Sequence, residues 1–169
     1  KLKTFALSGV AALALMAGSA SAADLACLIT KNDTNPFFVK MKEGAEAAAK
    51  AAGLDFQASA GVKDGDAAPQ ITAIENCVAA GAKGILITPS NDSVGPALKA
   101  ARAAGILVIA LDTPLADAEA QDMTFATDNF QAGLLIGQWA AATMGDTAGA
   151  KIAMLDINKD NISVDVARD

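Results

Sequence analysis

Three stretches of this chain, which has 169 residues, have the same pattern. In each, an alanine-rich segment ends at a glycine, and an apolar run follows. They are Ala51-Ala52-Gly53, Ala79-Ala80-Gly81 and Ala103-Ala104-Gly105. A glycine is common directly after a helix because it adopts the left-handed conformation that ends one. The glycines are 28 and 24 residues apart, a length that suits one strand and one helix. The repetition therefore predicts strands that alternate with helices.

The pattern of apolar residues predicts where these elements lie. Helices are expected at 36–52, 67–80, 93–104 and 130–144, with a last helix from Ser163, and strands at 25–29, 54–59, 84–88, 106–111, 123–127 and 151–157. The inner strands are almost entirely apolar, as strands covered on both faces require. Strands and helices joined by short loops imply a parallel sheet with right-handed crossovers. The predicted fold class is therefore α/β, with a doubly wound parallel sheet.

The first 22 residues have the composition of a secretory signal peptide. Lys1 and Lys3 precede an apolar run, and small residues of the Ala-x-Ala type follow it at 19–23. The alternative is a membrane anchor, but the apolar run is shorter than the roughly 20 residues that span a bilayer. We therefore expect export through the secretory pathway, with residues 1–22 removed and no direct membrane insertion of the mature chain.

Two cysteines, Cys27 and Cys77, remain in the mature chain. An exported protein folds in an oxidising compartment, where an even number of cysteines favours a disulfide. The alternative is two buried thiols, since free cysteine packs as a small hydrophobe. If the strands are ordered 2-1-3-4, the second helix crosses the first strand, which places Cys77 over Cys27 and favours the disulfide.

The composition argues against several classes of function. The net charge is −6 and no basic cluster occurs, which disfavours nucleic acid and anionic membrane surfaces as partners. The chain has no histidine and no tyrosine, which removes the histidine-dependent nucleophilic dyads and metal sites. It also lacks the glycine motifs of dinucleotide and phosphate sites and the Gly-x-Ser-x-Gly elbow of hydrolases. We therefore expect a protein that is not an enzyme and has no cofactor or metal.

Polar side chains follow the first, third and fourth predicted strands, at the edge of the sheet where α/β proteins bind ligands. They are Lys31, Asn32, Asp33 and Asn35, then Ser90, Asn91 and Asp92, then Asp112 and Thr113. Carboxylates accept hydrogen bonds from hydroxyl groups, whereas amides and ammonium groups donate to hydroxyl oxygens. Phe37 and Phe38 add aromatic faces on which the C–H side of a sugar ring can stack. This mixture predicts a site for a neutral polyhydroxylated ligand.

Each of these residues also has a purely structural explanation. Asn35 precedes Pro36 and can cap the helix that starts there, because Asn is a favoured cap and Pro a favoured first helical residue. Asn91 or Asp92 can cap the third helix, and Phe38 fits the apolar stripe of the first helix. The prediction of a binding site therefore rests on the convergence of polar groups and aromatic rings at one edge of the sheet.

Four segments carry a resemblance to a known family. In order they are Thr34-Asn35-Pro36-Phe37-Phe38, Gly84-Ile85-Leu86-Ile87-Thr88-Pro89, Val108-Ile109-Ala110-Leu111-Asp112-Thr113 and Ala126-Thr127-Asp128-Asn129. Together they resemble the ribose/fructose-type sugar-binding proteins of bacterial ABC transporters, in the type I periplasmic-binding-protein-like family. Through Ile29-Thr30-Lys31 and the segments 125–129 and 136–143, the chain is most similar to fructose-binding proteins.

The resemblance implies two Rossmann-like lobes joined by a hinge of three segments, with the sugar bound between them. Residues 24–127 would form most of the first lobe, and residues 128–169 only the opening of the second. The chain is therefore interpreted as a C-terminally truncated fragment. On its own it is expected to bind sugar weakly or not at all.

The family pattern also implies roles for particular residues. Asn35, Phe37 and Phe38 match the ligand-facing segment of the family. Lys31 matches a residue that contacts sugar in some members, and Asp112 matches the acidic residue that binds sugar hydroxyls. In the second lobe Asp165 stands near the position of a usual arginine, with Arg168 as the alternative candidate.

The function implied by the resemblance is the binding of a monosaccharide by hinge closure and its delivery to a membrane permease. The ligand is expected to be fructose, or otherwise a ribose-like sugar, and the full-length protein is expected to be a monomer. One alternative is the ligand-sensing domain of a chemotaxis or sensor system. Another is the effector domain of a LacI-type repressor, which requires a DNA-binding helix-turn-helix where the predicted signal peptide stands.

Overall fold

A computed structural model of the chain describes residues 23–145 and 148–153. The strands are β1 Leu25–Thr30, β2 Asp55–Ala60, β3 Gly84–Ile87, β4 Leu107–Leu111 and β5 Met123–Phe125. The helices are α1 Pro36–Ala51, α2 Ala68–Ala79, α3 Gly95–Ala103 and α4 Asn129–Met144. The glycines that follow α1, α2 and α3 have φ angles of 70°, 74° and 82°, which are the left-handed conformations that the repeated Ala-Ala-Gly signal predicts.

The five strands form one parallel sheet in the order β2-β1-β3-β4-β5. The first four strands thus have the order that the disulfide hypothesis assumed. β1 is an inner strand, pairing with β2 from Leu25↔Asp55 to Thr30↔Ala60 and with β3 from Ala26↔Gly84 to Ile29↔Ile87. Because the strands are parallel, their carboxyl ends all lie at the same edge of the sheet.

The main hydrophobic core lies between one face of the sheet and the helices α2 and α3. The strands contribute alternate residues, because successive side chains of a strand point to opposite faces. The core residues of the strands are Cys27, Ile29, Ile85, Ile87 and Val108, and those of the helices include Ile74, Cys77 and Leu98. Within this core a disulfide joins Cys27 of β1 to Cys77 of α2, where both residues are fully buried.

The opposite face of the sheet is covered less completely. Over β1 and β2 it faces α1, and Phe38, Leu28 and Ala58 line one pocket there. Toward β4 and β5 it is open, and Leu107, Met123 and Phe125 are each more than half exposed. Helices thus lie on both faces of the sheet, as a doubly wound fold requires.

Helix α4 has no buried residue. Its large apolar side chains, among them Phe130, Leu135 and Trp139, are exposed. Among residues 23–145 and 148–153, no element buries the apolar side chains of this helix.

Three predicted elements differ from the structure by two or more residues at one end. The strand predicted at 123–127 ends at Phe125. α3 begins at Gly95, because Asp92–Val94 form a 3-10 turn. Residues 151–153 are not part of a strand, since a short apolar run alone does not specify strand pairing. The rest of that predicted strand, the predicted last helix and the predicted signal peptide lie outside the described residues. No described helix is both long and apolar enough to cross a membrane.

Charged side chains hold α3 against the edge of the sheet at β5. Asp122 accepts hydrogen bonds from Arg102 Nε at 3.0 Å and Nη2 at 2.6 Å, and from the Val108 N–H at 2.8 Å. The hydrogen bond from Arg102, and next that from Val108, lower the pKa of Asp122 below its usual value. The carboxylate is therefore ionised at neutral pH and completes this contact.

Candidate functional site

Four loops follow the carboxyl ends of β1 to β4 along one edge of the sheet. Loop one is 31–35, loop two is 61–67, loop three is 88–94 and loop four is 112–117. Side-chain hydrogen bonds join these loops to one another. They are Asn32 Nδ2 to Asp64 Oδ1 at 2.8 Å, Asn91 Nδ2 to the Gly65 carbonyl at 2.8 Å, and the Ala116 N–H to Asp92 Oδ1 at 2.9 Å. The loops therefore form one connected polar edge.

Lys31 is a buried cation of this edge, with 5% of the residue exposed. Its Nζ donates to Thr113 Oγ1 at 2.8 Å and lies 3.6 Å from Asp112 Oδ2. Thr113 Oγ1 donates in turn to Asp112 Oδ2 at 3.2 Å. A buried ammonium group is costly unless it is paired and hydrogen-bonded, so this trio holds loop one against loop four. The structure thus brings together three predicted site residues from distant parts of the chain.

The backbone of Asp112 is strained. Its φ angle is 66°, a left-handed conformation that residues with a Cβ rarely adopt, although Asp tolerates it better than most. The Asp112 N–H donates to the Phe125 carbonyl at 2.8 Å and so anchors the turn after β4. The side chain is 31% exposed. Its carboxylate can therefore be reached by a ligand hydroxyl while it stays paired with Lys31.

Asn35 caps α1, as predicted. Its Oδ1 accepts from the Phe37 N–H at 3.0 Å, and Pro36 occupies the first helical position. The Asn35 N–H donates to Asn32 Oδ1 at 2.9 Å, which closes loop one. The cap uses the side-chain oxygen of Asn35, and the residue is exposed. The side-chain nitrogen is therefore still able to donate to a ligand, as predicted.

The two phenylalanines of α1 differ in exposure. Phe37 is 52% exposed and Phe38 is 4% exposed, and their ring centroids lie 5.3 Å apart in an edge-on contact. Phe38 lines a pocket of about 370 Å³ between α1 and the sheet. In this structure the ring of Phe37 is therefore accessible for stacking. Phe38 is buried on the apolar stripe of α1, which is the structural explanation given for it above.

Loop three contributes Ser90 and Asn91. Asn91 uses both ends of its amide within the protein, because Nδ2 donates to loop two and Oδ1 accepts from the Ser93 N–H at 2.9 Å. Ser90 Oγ is buried and has no hydrogen-bond partner among the described residues. Of the predicted site residues in this loop, Ser90 therefore has a hydroxyl group that can still form a hydrogen bond with a ligand.

The remaining predicted site residues, Asp165 and its alternative Arg168, lie outside the described residues. Sequence reasoning missed Thr88, whose Oγ1 accepts from the Lys31 N–H of loop one, and Gln70, whose amide bonds to the last residue of β1, next to that loop. The sequence contains one sign that Gln70 has a special role. It is a polar residue on the apolar face of α2, one turn before Ile74. Within the described part of the chain, no group of three or more His, Cys, Asp or Glu residues could hold a metal ion.

Gly61 marks a close approach between loop two and loop one. A Cβ atom at this position would lie 2.5 Å from the carbonyl oxygen of Lys31. We expect Gly61→Ala to displace the Lys31 peptide and to lower the free energy of unfolding by about 1–3 kcal/mol, the usual cost of overpacking. Urea denaturation measures this change.

Gly44→Ala is the matched control for Gly61→Ala. Gly44 lies inside α1, and nothing would lie within 4 Å of its Cβ. There alanine should stabilise the protein by about 0.5–1 kcal/mol, because glycine is a poor helix former. Equal stability of the Gly61→Ala variant and the wild type would contradict the proposed close approach.

The matches to known proteins agree with this arrangement of fold and loops. A family model described as a periplasmic binding protein domain matches residues 25–167. The chain is 34% identical over 161 residues to the ribose import binding protein of Escherichia coli (strain K12), covering 92% of this chain and 51% of that protein. The chain therefore belongs to the periplasmic binding protein domain family.

Two solved structures show the same fold. The periplasmic ribose ABC transporter protein of Conexibacter woesei DSM 14684 matches with a TM-score of 0.74 and 28% identity, over 89% of this chain and 49% of that one. A periplasmic solute-binding protein from Actinobacillus succinogenes 130z with bound D-allose matches with a TM-score of 0.64 and 29% identity, over 72% and 45% of the two chains. The chain thus spans about half the length of the relatives that it matches.

Proposed function

We propose that this protein is the periplasmic sugar-binding component of an ABC transporter. It would bind a monosaccharide at the edge formed by loops one, three and four, and deliver it to a membrane permease without making or breaking a bond. The observation that carries this proposal is the hydrogen-bonded trio of Lys31, Thr113 and Asp112 at the carboxyl edge of the sheet. The match to the periplasmic binding protein domain family supports it.

The chemistry of the edge suits a sugar. The Asp112 carboxylate can accept hydrogen bonds from two sugar hydroxyls, and the amide of Asn35 can donate to a hydroxyl oxygen. The exposed ring of Phe37 provides an apolar surface for the C–H face of the sugar. Such a combination of a few polar groups with an aromatic ring is typical of sites that orient a small ligand.

We propose a ribose-like aldose as the ligand. The names of the matched relatives refer to ribose and to D-apiose, and one matched structure holds D-allose. None of these names refers to fructose, so the fructose preference inferred from short segments has no support among these relatives.

The architecture of the complete protein belongs to the same proposal. The first hinge crossing would fall near Thr127, so that residues 24–127 form most of one lobe and residues 128–169 begin the other. Residues 1–22 would direct export and then be removed. Closure of the two lobes of a monomer around the sugar would complete the site, and Asp165 or Arg168 would approach from the second lobe.

Isothermal titration calorimetry of the complete gene product tests this proposal. The panel is D-ribose, D-allose, D-arabinose and D-fructose, with a sugar alcohol as a control for unspecific contacts. We expect saturable binding that is tightest for an aldose, and weak or absent binding by residues 24–169 alone. A complete protein that binds no member of the panel would overturn the proposal, and preference for fructose would overturn the choice of sugar.

A further inference from the structure

A fully buried glutamine lies beneath the ligand edge. Gln70 is in the first turn of α2 and is 0% exposed. Its Nε2 donates to the carbonyl oxygens of Thr30 at 3.1 Å and Thr88 at 2.8 Å, and its Oε1 accepts from the Ser90 N–H at 2.8 Å. Both ends of the amide are therefore bonded, which offsets the cost of burying it.

These three partners lie where two strands part. The paired residues of β1 and β3 end at Ile29↔Ile87, and the Thr88 N–H adds one further bond to the Ile29 carbonyl at 2.9 Å. Beyond that point the two strands continue into loop one and loop three, and the sheet no longer fixes their spacing. The Gln70 side chain bonds to the end of β1 and to loop three, and so replaces the missing hydrogen bonds of the sheet.

The same contact reaches the backbone of Lys31. The Lys31 N–H donates to Thr88 Oγ1 at 3.0 Å, and the Thr88 carbonyl is held by Gln70. The Gln70 amide also holds Ser90, whose buried hydroxyl has no partner among the described residues. Gln70 thus orients one residue of loop one and one of loop three that are predicted to contact the ligand, without belonging to either loop.

We infer that Gln70 is a positioning residue for ligand binding, which sets the spacing between loop one and loop three. This inference rests on the proposed function. An apolar residue would fit the buried face of α2 equally well, since Ile74 occupies the next turn of that face. An amide is needed at this position because it bonds to two backbone carbonyls, of Thr30 and Thr88, and to one backbone N–H, of Ser90.

The test replaces Gln70 by methionine, which keeps the size and shape of the side chain but removes its three hydrogen bonds. We expect Gln70→Met to weaken binding of the preferred sugar by about tenfold, which corresponds to the net contribution of one or two hydrogen bonds. Because Gln70 does not contact the sugar, the loss should be the same factor for every sugar that binds. Calorimetry on the complete protein measures these affinities.

The control is Ile74→Val in the same helix. It removes one buried carbon from the core and lowers the melting temperature by a few degrees, but leaves the loops untouched. Its sugar affinity should stay within about twofold of the wild type. If Gln70→Met fails to fold, Gln70→Asn keeps the amide and shortens its reach, and it should show the same uniform loss of affinity.

Amide hydrogen exchange provides a second readout in the absence of sugar. Exchange at the N–H groups of Lys31 and Ser90 should accelerate in Gln70→Met and not in Ile74→Val. Unchanged sugar affinity in Gln70→Met, or an equal loss in Ile74→Val, would overturn the positioning role. If the wild type binds no sugar, the proposed function fails, and unchanged exchange at Lys31 and Ser90 would overturn the role of Gln70 in holding the loops.

Discussion

Replacing Cys27 and Cys77 together by alanine is expected to produce a large loss of stability. The disulfide closes a loop with a sequence separation of 50. A loop of this length restricts the unfolded chain by an amount equivalent to about 4 kcal/mol in the chain-entropy model. The double variant should therefore unfold at a much lower urea concentration than the oxidised wild type.

Reduction of the wild type separates the effect of the covalent link from that of the side chains. In dithiothreitol the wild type should lose most of the same free energy of unfolding, whereas the double alanine variant should be insensitive to the reductant. The difference between the reduced wild type and the variant then reports the two buried sulfur atoms alone. A wild type of equal stability in oxidising and reducing buffer would contradict this expectation.

Asp112→Asn is expected to destabilise the protein more than Lys31→Met. The Lys31 side chain is 7% exposed, whereas that of Asp112 is 31% exposed. Removing the carboxylate leaves a buried ammonium group without its counter-charge, which should cost about 2 kcal/mol, less than for a fully buried pair. Removing the lysine leaves a carboxylate that water reaches, so we expect a change within about 1 kcal/mol of the wild type.

A double-mutant cycle tests the source of this asymmetry. Lys31→Met should recover part of the stability lost in Asp112→Asn, because the unpaired ammonium group is then absent. Sugar affinity should decrease in both single variants, since both residues belong to the proposed site. Urea denaturation and calorimetry of the same samples measure the two effects. If the two single variants are equally stable, the different exposure of Lys31 and Asp112 does not determine how much each contributes to stability.

The alternation of strands and helices could be predicted because it depends on local signals. A glycine after each of three helices and an apolar strand after each glycine define units that pack only as a parallel sheet. Once helix α2 crosses β1, Cys27 and Cys77 fall in the same layer. The cap at Asn35 was equally local, since it needs only an asparagine before a proline.

The internal contacts of the site could not be predicted in the same way. The bond between Lys31 and Thr113 joins residues 82 positions apart, and no sequence pattern specifies which polar groups pair across such a distance. The sequence Phe37-Phe38 likewise does not show which ring is buried, because this depends on how α1 is rotated on the sheet. Gln70 was overlooked because a single polar residue on an apolar stripe has several possible explanations.

Helix α2 is attached to strand β1 at both of its ends. Near its carboxyl end the disulfide joins it to the amino half of β1, and near its amino end the Gln70 amide bonds to the last residue of β1. The helix cannot slide along the strand or pivot about one point without breaking one of these attachments. In the proposed closure, α2 and β1 would therefore move together, and the residues that Gln70 bonds would keep their spacing in the open and the closed protein.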